Sequence, residues 1–130
     1  MRTVVLDTNI LIDNVHGFAP WVDTLLKSLQ AYRLVIPTIV IAEYLTAKEV
    51  EQTSERAKTE EYLSLFFKQD LTEDIAKILG TLLRRKTYPK GAGLADLIIA
   101  ATAIFLNAKL ATNNKTDFKN IPNLKFFTPK

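Results

Sequence analysis

Residues 93–118 read GLADLIIAATAIFLNAKLATNNKTDF, and the fold turns on how that stretch is interpreted. From Leu94 to Leu106 the chain has helical character and is apolar nearly all round, broken by Asp96 in the first turn and by Thr102. A helix with no polar face belongs inside a protein rather than on its surface. Leu110 and Ala111 then make a short strand, and residues 114–120 a small helical turn. A buried helix feeding a short strand is the repeating unit of an α/β domain with a mainly parallel sheet and right-handed crossovers.

The remaining segments extend the same alternation. Thr3 to Leu6 is short, apolar and ends at Asp7, as expected of a strand buried on both faces. Pro20 suits a first helical turn, and Trp21, Leu25, Leu26 and Leu29 recur at helical spacing up to about Gln30. Arg33 to Ile36 predicts a second strand closed by Pro37, and Thr38 a cap for a helix that carries Glu43 and continues, with or without a break, through residues 48–61. A third strand is expected within Leu63 to Lys68, and a last one over Leu124 to Phe127. Thr72 caps a helix with Glu73 and Asp74 in its first turn and Arg84, Arg85 and Lys86 in its last, the charge order that the helix dipole favours. The expectation is one α/β domain over residues 1–130, with ligands bound beyond the carboxyl ends of the strands.

Composition narrows the chemistry. The chain is 48% hydrophobic and 24% charged, which is ordinary for a soluble domain, and has no cysteine, which removes disulfides, thiolate metal sites and a cysteine nucleophile. The opening MRTVVLDTNILID lacks the layout of a signal peptide, and the apolar run from Leu97 to Leu106 is too short to cross a bilayer, so a cytoplasmic protein without membrane attachment is expected. The net charge of +3 is unevenly spread: residues 1–75 hold 7 basic and 12 acidic residues, residues 76–130 hold 10 basic and 2 acidic ones. Such a segment is either an ordinary solvated surface or a face for a polyanion. Its two acids, Asp96 and Asp117, are each followed by apolar or aromatic residues, which favours the second interpretation.

A single histidine, His16 beside Gly17, excludes a nuclease built on paired histidines and supports no Ser-His-Asp order. Carboxylates remain. Asp7 ends the first strand, as a turn residue or as a group pointing into the crevice above the sheet. Glu43 has Ile39, Val40, Thr46 and Ala47 at its helical neighbour positions, so it faces the interior or a cleft. Asp96 serves as a cap or dipole partner, or as a ligand; the same alternatives hold for Asp117. Taken together, three of the four fall at strand-to-helix junctions and Glu43 follows another. Four carboxylates brought together repel one another unless a cation neutralises them, and an oxygen-only donor set suits magnesium or manganese. Asp7, Asn9 and Asp13 mimic the opening of a calcium loop, but the glycine and glutamate that such a loop needs later are absent. The Asn114-Lys115-Thr116 sequon matters only in a secreted protein.

The order of motifs resembles the PIN domain family, and within it the VapC-like toxins of VapBC toxin–antitoxin pairs. The resemblance lies in VVLDTNILID (residues 4–13), PTIVIAEYL (37–45), the 93–118 stretch and LKFFTP (124–129). It implies a three-layer α/β/α domain, a homodimer, magnesium- or manganese-dependent cleavage of RNA, and inhibition by a cognate antitoxin. Carried over by position, the metal-binding acids fall on Asp7, Glu43, Asp96 and Asp117, with Thr8, Asn9, Thr112 and Asn113 in support. The basic residues Arg84, Arg85, Lys86, Lys90 and Lys115 are then candidates for holding the RNA backbone. A housekeeping PIN nuclease and a PIN fold that only binds RNA are the nearest alternatives. A receiver domain would want paired early acids and a late lysine, and an aspartyl phosphatase an acid where Asn9 stands.

Overall fold

The computed structural model describes residues 2–28, 30–46 and 53–129. Five parallel strands form its centre, in the order β3-β2-β1-β4-β5, with helices flanking the sheet in a three-layer α/β/α arrangement. The strands are β1 (Arg2–Leu6), β2 (Tyr32–Pro37), β3 (Phe67–Gln69), β4 (Lys109–Ala111) and β5 (Lys125–Phe126). The helices are α1 (Thr8–Val15), α2 (Trp21–Leu26), α3 (Thr38–Tyr44), α4 (Thr53–Leu63), α5 (Glu73–Arg85) and α6 (Leu94–Phe105), and a 3-10 turn spans Lys115–Phe118.

β1 lies in the middle because Val4, Val5 and Leu6 are buried on both faces, which only a strand with neighbours on both sides and helices above and below allows. α6 packs across β1, β2 and β4 and against α5. Its residues from Leu97 to Ala103 are all buried, which accounts for its lack of a polar face. Thr102, the one hydroxyl among them, donates to the Ile98 carbonyl at 2.7 Å, so it carries no unpaired polar atom into the core.

Several element boundaries differ from expectation. Thr8–Val15 is a helix, an element not expected after the first strand, where Asp7 offered itself as a turn residue; the Asp7 carboxylate caps it by accepting from the Thr8 amide at 2.8 Å. Thr38 is the first residue of α3 rather than its cap, and Pro37 takes the cap position after pairing with Gln69. α2 stops at Leu26, before Gln30, and Leu29 lies outside the described residues. So do residues 47–52, where a continuation of the Glu43 helix was expected; α4 begins at Thr53. Leu63 ends α4 instead of opening β3, since Leu63 and Phe66 turn into the core through the bend between the two. Lys86, expected in the last turn of α5, is its left-handed cap at φ 55°.

Candidate active site

The strand order makes a switch point. The chain runs from β1 outward through β2 and β3 on one side, then returns to place β4 on the other side of β1. Loops leaving β1 and β4 diverge, and the crevice between their carboxyl ends is where sheets of this kind bind ligands. Asp7 follows β1 and Thr112 follows β4, and the Thr112 hydroxyl donates to Asp7 Oδ2 at 2.8 Å across 105 residues of sequence. That hydroxyl is itself held by the Asn114 amide, which donates to it at 3.0 Å.

Asp7 is 5% exposed, so its carboxylate sits in the crevice floor with two donors, Thr8 N–H and Thr112 O–H. Burial pushes its pKa above the usual 3.8; the two hydrogen bonds oppose that, and the charges of Asp96 and Glu43 add to it. Asp96 and Glu43, from α6 and α3, therefore both act on Asp7 at the end of β1. Glu43 is more exposed than its apolar neighbours implied: it lies on the rim, not in the interior, and turns inward only at its tip, where Oε1 accepts from Thr8 Oγ1 at 2.6 Å. Asp96 is half-buried and caps α6, with Oδ2 accepting from Gly93 N–H at 3.0 Å. Asp117, in the 3-10 turn, accepts from the Asn114 side chain. A Cβ on Gly91 would lie 3.7 Å from Asp117 Oδ1, and one on Gly93 3.9 Å from Asp96 Oδ2. The loop before α6 thus runs between these two acids and leaves each free of crowding.

Each acid is turned toward a donor of its own, and among the described residues no three Asp, Glu or His side chains converge closely enough to hold an ion as they lie. The donor chemistry nevertheless suits a hard cation. All the candidate ligands are carboxylate oxygens, and the central one is buried beside two like charges. Among the described residues no lysine or arginine pairs with any of the four acids.

The supporting residues divide. Thr8 and Thr112 are buried and bonded to Glu43 and Asp7, whereas Asn9 is exposed in the first turn of α1. The Asn113 side chain donates to Asp13, half-buried on α1. In the sequence Asp13 stands out only as part of the calcium-loop mimic, and no local signal ties it to Asn113, 100 residues away. Arg84, Arg85, Lys86, Lys90 and Lys115 are exposed. The fold brings Lys86 to the acidic end of the molecule, where it lines a groove of about 340 Å³ with Thr116 and Lys119 beside the Asp117 turn. Arg84 and Arg85 stay on the last turn of α5.

Residues 4–124 match the PIN domain. The chain belongs to the PIN domain family. This PIN domain is 34% identical over 124 residues to ribonuclease VapC19 of Mycobacterium tuberculosis, a match covering 93% of this chain and 96% of the relative. Its fold is similar to that of VapBC2 from Rickettsia felis bound to a DNA fragment from the promoter of the pair. The TM-score is 0.77 and the identity 30%, over 96% of this chain and 97% of that one. A toxin–antitoxin complex from Klebsiella pneumoniae superposes with a TM-score of 0.70 at 29% identity, covering 98% of each chain. Among the described residues no helix is long and apolar enough to cross a membrane.

Proposed function

We propose that this PIN domain is the endoribonuclease toxin of a toxin–antitoxin pair, acting through Asp7, Glu43, Asp96 and Asp117 with magnesium or manganese. The observation that carries the site is Asp7: a carboxylate buried at the switch point of the sheet, raised in pKa by burial and by two further acids from separate elements. A protein built for stability alone would not place three anions there. Relatives named ribonuclease VapC support RNA as the substrate.

In this reading Asp7, Glu43 and Asp96 hold the cation, and Asp117 completes the set from the far side of the 91–93 loop. Bound magnesium or manganese supplies the activation of water and the neutralisation of charge on the leaving oxygen. Thr8 and Thr112 hold the carboxylates of Glu43 and Asp7 at the crevice, and binding of the cation would draw the acids together from these resting hydrogen bonds. Lys90, in the loop before α6, and Lys115, in the turn that carries Asp117, would hold the RNA backbone.

Partner surfaces follow the same reading. Val15 at the end of α1 and Phe18 after it stay exposed, as does Leu45 after α3, and Leu94 and Phe105 are exposed at the two ends of α6. Apolar side chains left in water suit burial against an antitoxin and a second copy. A cysteine-free chain that acts on RNA beside a protein partner fits the cytoplasm.

The test is cleavage of mixed RNAs by the purified protein with magnesium, manganese or chelator. Cleavage is expected with either ion and not with chelator, and Asp96→Asn should be folded and inactive. Full activity of folded Asp96→Asn, or ion-independent cleavage, would overturn the assignment. Growth arrest on expression alone, relieved by a small partner encoded beside it, separates a toxin from a housekeeping nuclease.

A further inference from the structure

A cavity of about 620 Å³ opens where β1, β2 and β4 begin, at the opposite end of these strands from the acids, with Phe126 at the end of β5 and the residues after it as one wall. Trp21, Tyr32, Phe126 and Phe127 line it, with Arg2 and Lys109 as its charged groups and, among the described residues, no acidic side chain in its wall. The rings are half-buried, so each is only partly used in packing. Phe127 lies between Trp21, at a centroid distance of 5.4 Å, and Tyr32, edge-on at 6.2 Å. Arg2 Nη1 donates to the Tyr32 hydroxyl in a long 3.5 Å hydrogen bond that leaves its other donors free. Aromatic faces with nearby cations and no acid are what a stacked base between two phosphates requires.

The cavity is also linked to the acidic crevice. Lys115 belongs to the same turn as Asp117, and its Nζ lies 5.6 Å over the centroid of Phe126, which lines the cavity. The sheet between the two ends is only about 16 Å tall for a five-residue strand, a span of a few nucleotides.

We infer that this cavity is a distal nucleotide subsite, in which one base of a single-stranded RNA stacks on Trp21 and Phe127 while the neighbouring phosphates meet Arg2 and Lys109. It rests on the reading of the chain as a ribonuclease and adds a second point of contact on the strand beyond the crevice. A subsite here makes binding favour RNA long enough to pass from the acids along Lys115 and Phe126 to the far edge of the sheet.

Trp21 is the one tryptophan of the chain, so its fluorescence reports this cavity directly. The protein in chelator is titrated with a non-cleavable 2′-O-methyl oligonucleotide of about ten residues, within the usual range of single-strand sites. Saturable quenching is expected, and it should persist in Asp96→Asn. Arg2→Ala with Lys109→Ala changes two exposed side chains. That variant should bind about tenfold more weakly, with a log–log salt slope shallower by about 1.4. Cleavage of RNA without any quenching would overturn the subsite and leave the ribonuclease reading intact. Quenching by the oligonucleotide in a protein that cleaves nothing would support the subsite and overturn the catalytic reading. Quenching by an acidic, phenylalanine-containing peptide but not by the oligonucleotide would overturn the subsite in favour of a peptide site.

Discussion

Asp7 shows how one side chain links stability to function. Its carboxyl binds a proton more tightly in the folded protein than the usual 3.8 implies, because burial and the charges of Asp96 and Glu43 disfavour the anion. A raised native pKa means that this group favours the native state most below pH 3.8, and that the contribution is lost as the pH rises through the raised value. At pH 7 without metal, ionised Asp7 is therefore a net cost. Asp7→Asn should raise the melting temperature in chelator at pH 7 and lose that advantage as the pH is lowered toward 4; thermal unfolding across this range checks it. An asparagine fits the pocket, since its carbonyl accepts from the Thr8 amide and its amide reaches the Thr112 hydroxyl. The same variant should cut RNA only at background level. Asp7, Asp96 and Asp117 could be picked out from sequence as candidates because they are acids at apolar junctions, and Glu43 because its helical neighbours are uncharged. Asp13 could not, because its role depends on Asn113, 100 residues away.

At the level of elements, α5 and α6 make opposite predictions. Gly80 lies within α5 with open space where a Cβ would be. Gly80→Ala should stabilise the fold by about 0.5–1 kcal/mol through the unfolded chain's lost freedom, with cleavage unchanged, as denaturant unfolding and an RNA assay would show. Ile99 is fully buried in α6, and Ile99→Ala should cost about 2–5 kcal/mol by the same measurement. Both helices were legible in advance, α6 from its unbroken apolar run and α5 from its Thr72 cap, which accepts from the Ile75 amide at 3.3 Å. α1 was not. Asp7, Asn9 and Asp13 are turn formers by local preference, and Ile10, Leu11 and Asn14 become helical because the core buries that face.

For the whole molecule, the uneven charge predicts how RNA binding responds to salt. Arg84→Ala with Arg85→Ala removes two exposed cations and should flatten the log–log salt slope by about 1.4 if both meet phosphates. An unchanged slope would mark them as ordinary solvated surface. Metal should act on global stability as well. At a hundredfold excess over its dissociation constant, magnesium or manganese should add about 2.7 kcal/mol to the wild type, seen as a rise in thermal midpoint. The increment should shrink in Asp96→Asn, which lacks one anionic ligand.

What the sequence determined alone was the alternation of buried strands and helices, the acids available for chemistry, and a basic carboxyl-terminal part. These are local properties, since periodicity and composition report which face of an element leaves water. Only the tertiary structure decided that β1 sits between β2 and β4, that Thr112 meets Asp7 and Thr8 meets Glu43, and that Lys115 of the Asp117 turn lies over Phe126. Strand neighbours are selected by hydrogen bonding and packing between segments far apart in the chain, and no local pattern encodes which buried strand lies beside which.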